Sequence, residues 1–486
     1  MLMSLNIIPQ PNYVKEYGSK RSLKENEIVY LTDEKFLDET YEIEITKDKA
    51  VITSKTEKGK FYALQTLNQI TEPDGKVPLV KITDFPRFEY RAFMIDSARH
   101  MQTVDEIKAY IEAAAMFKFN YFHWHLCDDQ GIRFECEKYP ELNRVGSYRN
   151  SHGFGSKNME IYGGYYTKEQ MRDIVEFCRE RHIEVIPEVD MPGHTVAMLA
   201  SYPELSCRKE KIEVETTPGI HKDILCAGRE STFEFCFGVL DEIMELFPCE
   251  YIHIGGDEAP KVRWNKCPDC QKRMKEENLS DSEKLQGYFV DRIVKYVESK
   301  GKKPIAWNES LNSDMLSKDV IVADWLDKPH KSEPFANGGG KIIIEDFFAY
   351  YLDYPYGMTS LKKTYKFNPF LEGLNETGKK NVWGVETPIW TEFVEDFNRL
   401  SYMCFPRMMA VAETGWTNAE NCDYKSFKQR AEAKRDCLSS LGITMAESKK
   451  WDPMPHKKLA DLWSHYKRFI TREQIESLLH PERDDK

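Results

Sequence analysis

Short apolar runs recur along most of this chain, and their rhythm changes near residue 87. Before it, "YEIEITKDKAVITS" alternates apolar and polar positions as strands with one buried face do. "KGKFYALQTLNQI" then sets Phe61, Leu64, Leu67 and Ile70 at helical spacing. "DFPRFEY" closes this unit, with Pro86 interrupting any regular element. Residues 1–86 therefore read as a small α+β domain.

From residue 90 the runs lose their alternation, as strands buried on both faces do. They are 91–96, 121–126, 183–189, 251–256, 303–307, 320–325, 341–348 and 382–386. Most are followed by helical patterns. Thr103-x-x-Glu106 and Thr167-x-x-Gln170 are capping boxes that open two of these helices, and "STFEFCFGVLDEIMELF" and "SEKLQGYFVDRIVKYVESKG" supply two more. Eight strand–helix units predict a (β/α)8 TIM barrel over residues 87–440. A doubly wound open sheet is the alternative, but no glycine-rich nucleotide turn follows the first strand. Residues 441–486 read as a C-terminal helical extension packed on the barrel, with its period in "HKKLADLWSHYKRFI". Two long connections, 143–166 and 201–228, follow strand ends and are candidates for a rim or lid.

A barrel of this kind works at the C-terminal ends of its strands. Polar and aromatic residues collect at all eight. In strand order they are Asp96 and Arg99; His125 and Asp128; Glu188, Asp190 and His194; then Asp257 and Glu258. Trp307 and Glu309, Asp324 and Trp325, Tyr351 and Asp353, and Glu386, Trp390 and Glu392 complete the series. Tryptophan is a poor surface residue, so solvated strand ends do not account for the pattern.

Charge and composition narrow the partners. The 486 residues carry a net charge of −12 and no basic stripe, which argues against nucleic acid. No apolar run approaches the roughly 20 residues that span a bilayer. "MLMSLNIIPQPNY" has no secretory pattern, so a cytoplasmic protein with reduced thiols is expected, although a trimmed secreted form would look alike. Oligomeric state is not legible. No cofactor motif is present. Cys267-x-x-Cys270 lacks a second ligand pair downstream, so no metal is expected there.

Carboxylates, indoles and an arginine around one pocket suit a sugar: aromatic faces stack on pyranoses, charged groups bind hydroxyls, and acids cleave glycosidic bonds. Glu258 is the candidate general acid, and Asp257 beside it opposes loss of its proton. Two rival classes stand beside this one. His123-Trp124-His125 puts two imidazoles on one strand face, as in metallohydrolases, yet His182, His194 and His253 complete no ligand set without forcing. A catalytically dead carbohydrate-binding barrel is the other, and the intact acid pair argues against it.

The chain resembles glycoside hydrolase family 20, the β-N-acetylhexosaminidases. "HIGGDE" (253–258) is similar to the family signature, and "DSARH" (96–100), "FNYFHWHLCDDQG" (119–131), "DMPGHT" (190–195) and "GVETPIW" (384–390) match further blocks in order. The resemblance implies a retaining exo-acting enzyme that removes terminal β-linked GlcNAc or GalNAc from oligosaccharides, with the substrate's own acetamido oxygen as nucleophile and an oxazolinium intermediate. It implies Glu258 as acid and base, Asp257 on the acetamido N–H, Tyr351 on its oxygen, and Asp128 with His194 as a relay to Glu258. Trp307, Trp325 and Trp390 are then expected to wall the pocket, and Arg99, Asp353 and Glu392 to hold the outer hydroxyls. Asn308 departs from the aspartate frequent in the family, which leaves its role open.

Overall fold

The computed structural model describes residues 5–150, 160–327 and 330–466. Five strands form the leading sheet: β1 (Tyr13–Ser22), β2 (Ile28–Thr32), β3 (Tyr41–Ile45), β4 (Ala50–Ser54) and β5 (Lys76–Asp84), in the order β1-β5-β3-β4-β2. Only β3 and β4 alternate buried and half-buried positions along their whole length. The helix Glu57–Ile70 covers their apolar face, and Thr56 caps it by accepting from the Gly59 amide.

The second body is a closed barrel of eight parallel strands: β6 (Tyr90–Asp96), β7 (Tyr121–His125), β8 (Glu184–Glu188), β9 (Tyr251–His253), β10 (Lys303–Trp307), β11 (Ile321–Asp324), β12 (Ile342–Ile344) and β13 (Val382–Ile389). β13 pairs with β6 to close the ring. Each strand falls on one of the eight apolar runs. Both capping boxes form, opening the helices Val104–Met116 and Lys168–Arg179.

Trp416, on the helix Arg407–Trp416 behind the barrel, inserts into the core of the leading sheet beside Tyr41 and Tyr62. Its indole N–H donates to Asp84 Oδ2 (2.9 Å), which also lies 3.0 Å from the Lys118 ammonium and accepts from Tyr41 OH at 2.6 Å. Lys118 and Asp84 are fully buried, so this ion pair joins sheet and barrel in a water-free seam. Of the C-terminal extension, the helix Pro455–Tyr466 is described; Asp461 accepts from the Gly357 amide (2.8 Å) and the His465 ring lies on Phe393. Residues 467–486 of that extension, and 151–159 of the first long connection, lie outside the described residues. No described helix is long and apolar enough to cross a membrane.

Removing one partner of a buried ion pair leaves the other charge stranded. Asp84→Ala should therefore cost about 3–5 kcal/mol in denaturant unfolding, and adding Lys118→Met should recover part of that loss. A cost of about 1 kcal/mol or less, the scale of a surface pair, would contradict this role.

Candidate active site

The strand ends of the barrel open into a cavity of about 130 Å3. Arg99, Asp128, His194, Asp257, Glu258, Trp325, Tyr351, Asp353, Trp390 and Glu392 line it, and all ten were expected there. Asp190, Phe347, Tyr354 and Gly219 line it as well.

The acids stand on a turn that only this sequence fits. β9 ends at His253, and Gly255 and Gly256 follow with φ of +70° and +103°. A Cβ on Gly255 would lie 1.6 Å from Asp190 Oδ1, and one on Gly256 2.3 Å from Ser310 Oγ. The two glycines thus let the chain pass between neighbouring strand ends and present Asp257 and Glu258 together. Glu258 (φ +39°) and His194 (φ +52°) are themselves in the left-handed region. Strain of this kind in non-glycine residues is held by surrounding structure and collects at functional sites.

A line of polar groups runs from the barrel axis to these acids. Glu188 is its hub: it meets His253 Nδ1 at 2.8 Å and His123 Nε2 at 3.2 Å, accepts from Trp307 Nε1 at 2.9 Å, and bonds His125 Nδ1. The other nitrogen of His125 lies 3.0 Å from Asp128 Oδ2. That same oxygen takes the Arg99 guanidinium at 2.7 Å, while Asp128 Oδ1 lies 3.2 Å from His194 Nδ1. His194 Nε2 then reaches Glu258 Oε2 at 3.5 Å and Asp257 Oδ2 at 3.6 Å. His194 Nδ1 lies equally close to Asp129 Oδ2 (3.2 Å), so the three residues expected as a relay stand in sequence, with the last approach, to Glu258, longer than the first.

Burial alone would raise the Asp128 carboxyl, but Arg99 and His194 hold it below the ordinary carboxylate range. Burial would lower His194, yet Asp128 and Asp257 together keep its pKa well above that of free histidine. Asp257 is the reverse case. Burial first, then the neighbouring Asp190, push its carboxyl well above the usual range. Its Oδ1 is buried with no hydrogen-bond partner among the described residues, as is Asp353 Oδ1. Burial raises Asp353 to about 8, and burial with Asp257 nearby raises Glu309 to about 8.

Trp325 and Tyr351 stack at 5.9 Å to form one wall, and the Arg99 guanidinium lies over the Trp390 ring. Trp307 does not join them. It is 1% exposed, one layer down, with its N–H committed to Glu188 and its ring 6.1 Å from Trp390. Phe347 supplies the further aromatic surface, and only its place in the run "KIIIEDFF" hinted at it. Asn308 acquires a role: its amide donates to the Leu326 carbonyl (3.3 Å) and accepts from the Trp325 amide (3.4 Å), so it tethers the Trp325 loop. An aspartate could serve only the second contact.

The HxH pair lies among carboxylates. His123 lies between Glu386 (2.6 Å) and Glu188, and His125 between Glu188 and Asp128, which leaves both imidazoles as hydrogen-bonded barrel residues. His182 sits away from them, against Phe61 of the leading domain. Of the long connections, 201–228 reaches the rim: Glu215 N donates to Asp129 O, Gln130 donates to Thr217 O, and Gly219 lines the cavity.

A (β/α)8 barrel that gathers paired acids, a buried arginine and indole walls at its strand ends has the lining of a carbohydrate cleft. Residues 88–419 match the catalytic domain of glycosyl hydrolase family 20, and residues 13–85 match domain 2 of the same family. A β-hexosaminidase of Porphyromonas gingivalis is 37% identical over 427 residues, covering 84% of this chain and 54% of that protein. The chain thus spans about half the length of that relative. The β-N-acetylhexosaminidase structure from Bacteroides fragilis superposes with a TM-score of 0.81 at 30% identity, over 92% of this chain and 99% of that one. The exo-β-N-acetylglucosaminidase of Vibrio harveyi, solved with N-acetylglucosamine, gives 0.82 at 27% identity, over 91% and 78%. The chain belongs to glycosyl hydrolase family 20.

Asp353 offers a pH test. Its folded pKa of about 8 lies above the unfolded value of about 3.9, so the folded protein keeps a proton that the unfolded chain loses. The stability it contributes is present below about pH 4 and is lost as pH rises to about 8. Asp353→Asn should therefore gain stability relative to the native protein between urea unfolding at about pH 5 and at about pH 9. An unchanged difference would contradict the raised carboxyl.

Proposed function

We propose that this protein is a retaining exo-β-N-acetylhexosaminidase that releases terminal β-linked GlcNAc or GalNAc by substrate-assisted catalysis. The observation that carries the reading is the acid pair itself. Glu258 is the more exposed of the two, within reach of His194, and suits proton transfer to a leaving oxygen and then from water. Asp257 is buried, 8% exposed, with an acceptor oxygen that has no hydrogen-bond partner among the described residues. That suits a group that receives the acetamido N–H, and the positive charge of the closing oxazolinium ring would offset the burial and the Asp190 contact that raise this carboxyl, so that it balances charge at that step. Tyr351, across the cavity, would donate to the acetamido oxygen. The relatives' β-hexosaminidase names and the sugar held by the Vibrio enzyme support the same substrate class.

Trp325 and Trp390 offer faces to the pyranose, and Arg99, Glu392 and Asp353 offer polar groups to its outer hydroxyls. Placing the nucleophile inside the substrate makes ring closure intramolecular, an advantage on the scale of effective molarities of about 10⁵ M or more.

A panel of aryl β-glycosides tests this directly. A β-glucoside fits the pocket but lacks the nucleophile, so its rate should fall by several orders of magnitude relative to the 2-acetamido sugar, on the scale of about 10⁵. Comparable rates, or a covalent glycosyl adduct on any Asp or Glu in mass spectrometry, would defeat the mechanism.

The two acids should also separate. Glu258→Gln should cripple substrates with poor leaving groups and spare activated aryl glycosides, which need less protonation. Asp257→Asn should slow both kinds, because charge balance at ring closure is needed whatever leaves. Identical profiles for the two variants would remove the assignment.

A further inference from the structure

The thiols of Cys267 and Cys270 do have partners, and these come from upstream. Cys207 and Cys226, at the two ends of the long connection after β8, meet them in space. The sulfurs lie 3.8 Å apart for Cys207–Cys270, 3.8 Å for Cys226–Cys267 and 3.6 Å for Cys226–Cys270, and all four lie within 4.8 Å of one another. A disulfide needs about 2.0 Å, and these pairs stand far outside it. Four thiolates at about 2.3 Å from a central zinc form a tetrahedron whose edge is about 3.8 Å, close to the spacing of these three pairs.

The surroundings are those of a built site. Cys226, Cys267 and Cys270 are buried and Cys207 is half-buried. Ser206 and Leu225 bridge as antiparallel partners, which sets Cys207 beside Cys226. Cys267 opens the helix Pro268–Glu276 and Cys270 lies in its first turn, so both sulfurs leave one compact turn. The two turns touch backbone to backbone: a Cβ on Gly228 would lie 2.2 Å from the Asp269 carbonyl carbon and 2.4 Å from the Cys270 nitrogen. The Gly228 amide and the Arg229 guanidinium (3.4 Å) both point donors at the Cys226 sulfur, as the outer shell of a thiolate ligand does.

We propose that Cys207, Cys226, Cys267 and Cys270 bind one Zn2+ in a closed tetrahedral site. On binding, each thiol releases its proton to solvent and forms one sulfur–zinc bond. Four thiolates leave no open position for water, so the ion is structural and takes no part in glycoside cleavage. Its place gives it a task. It clips the base of the 201–228 connection, whose Gly219 lines the sugar cavity, to the segment that follows Glu258. The rim of the pocket is thereby fastened on two sides.

The test uses the full chain purified under reducing conditions without added metal. Elemental analysis should find one zinc per chain, released in step with mercurial titration of the thiols. Cobalt added to the stripped protein should give the charge-transfer and intense visible bands of a tetrahedral thiolate site. Cys207→Ser and Cys226→Ser should lose the zinc, whereas Cys437→Ser, at an exposed cysteine outside the cluster, should keep it. Limited proteolysis should cut the 201–228 connection faster in stripped protein than after zinc is restored. Native protein that carries no zinc and gives no thiolate bands with cobalt would overturn the proposal whether or not the serine variants fold. Disulfides among the four cysteines in non-reducing peptide maps would overturn it too. Cleavage that is indifferent to zinc would remove the fastening role.

Discussion

The site hangs on one buried negative charge, the carboxylate of Asp128. Taking an ionised carboxylate out of water costs several kcal/mol unless its partners are well placed. Here Arg99, His125 and His194 converge on its two oxygens. Each partner serves a second purpose. Arg99 lies over Trp390 and fixes one end of the cavity, His125 ties Asp128 to Glu188 on the barrel axis, and His194 carries the contact outward to Asp257 and Glu258. The position of the outermost acids is thus set by largely buried groups. Such a network is stable only when complete, because every unpaired member would bear its full desolvation cost.

The same constraint explains where backbone strain is tolerated. Glu258 and His194 both hold left-handed conformations that side chains disfavour, and their side chains approach to 3.5 Å. The eight-stranded ring beneath, closed and buried, resists relaxation of either turn. Gly255 and Gly256 are needed because Asp190 and Ser310 already occupy the space where a Cβ would go. Stability in the barrel is what allows strain at its mouth.

Legibility in the sequence followed burial. The eight barrel strands were readable because each is an apolar run covered on both sides. In the leading sheet, β3 and β4 alternate cleanly, whereas the exposed positions of β1 and β2 leave no period to read. Ten pocket residues were legible because strand ends are fixed by the barrel. Trp307 lies one layer below the expected wall: its position at a strand end was clear, but the hydrogen bond to Glu188 that holds it inward comes from two strands away across the barrel. Phe347 and Gly219 sit on connections whose course no local pattern dictates. The cysteine cluster was hidden for a related reason. Cys207 and Cys226 are 19 positions apart with no short spacing between them, and only the bridge of Ser206 to Leu225 brings them together.

The depth of the cavity bears on what the proposed enzyme can accept. Below Trp390 the axis is filled by Trp307, His123, His253 and Glu188, all buried and bonded to one another or stacked. Glu392 and Asp353, with Arg99, occupy the side of the cavity away from the acid pair in the proposed reading. A pyranose entering there meets charged groups with its outer hydroxyls and has no passage beyond them. In the proposed reading, a sugar seated against Glu258 would meet this filled axis beneath it, with the rest of the oligosaccharide leaving past the rim that the 201–228 connection helps to build. A closed centre of this kind would favour a terminal sugar, so the inner polar network that positions the acids would also bear on the proposed choice of substrate.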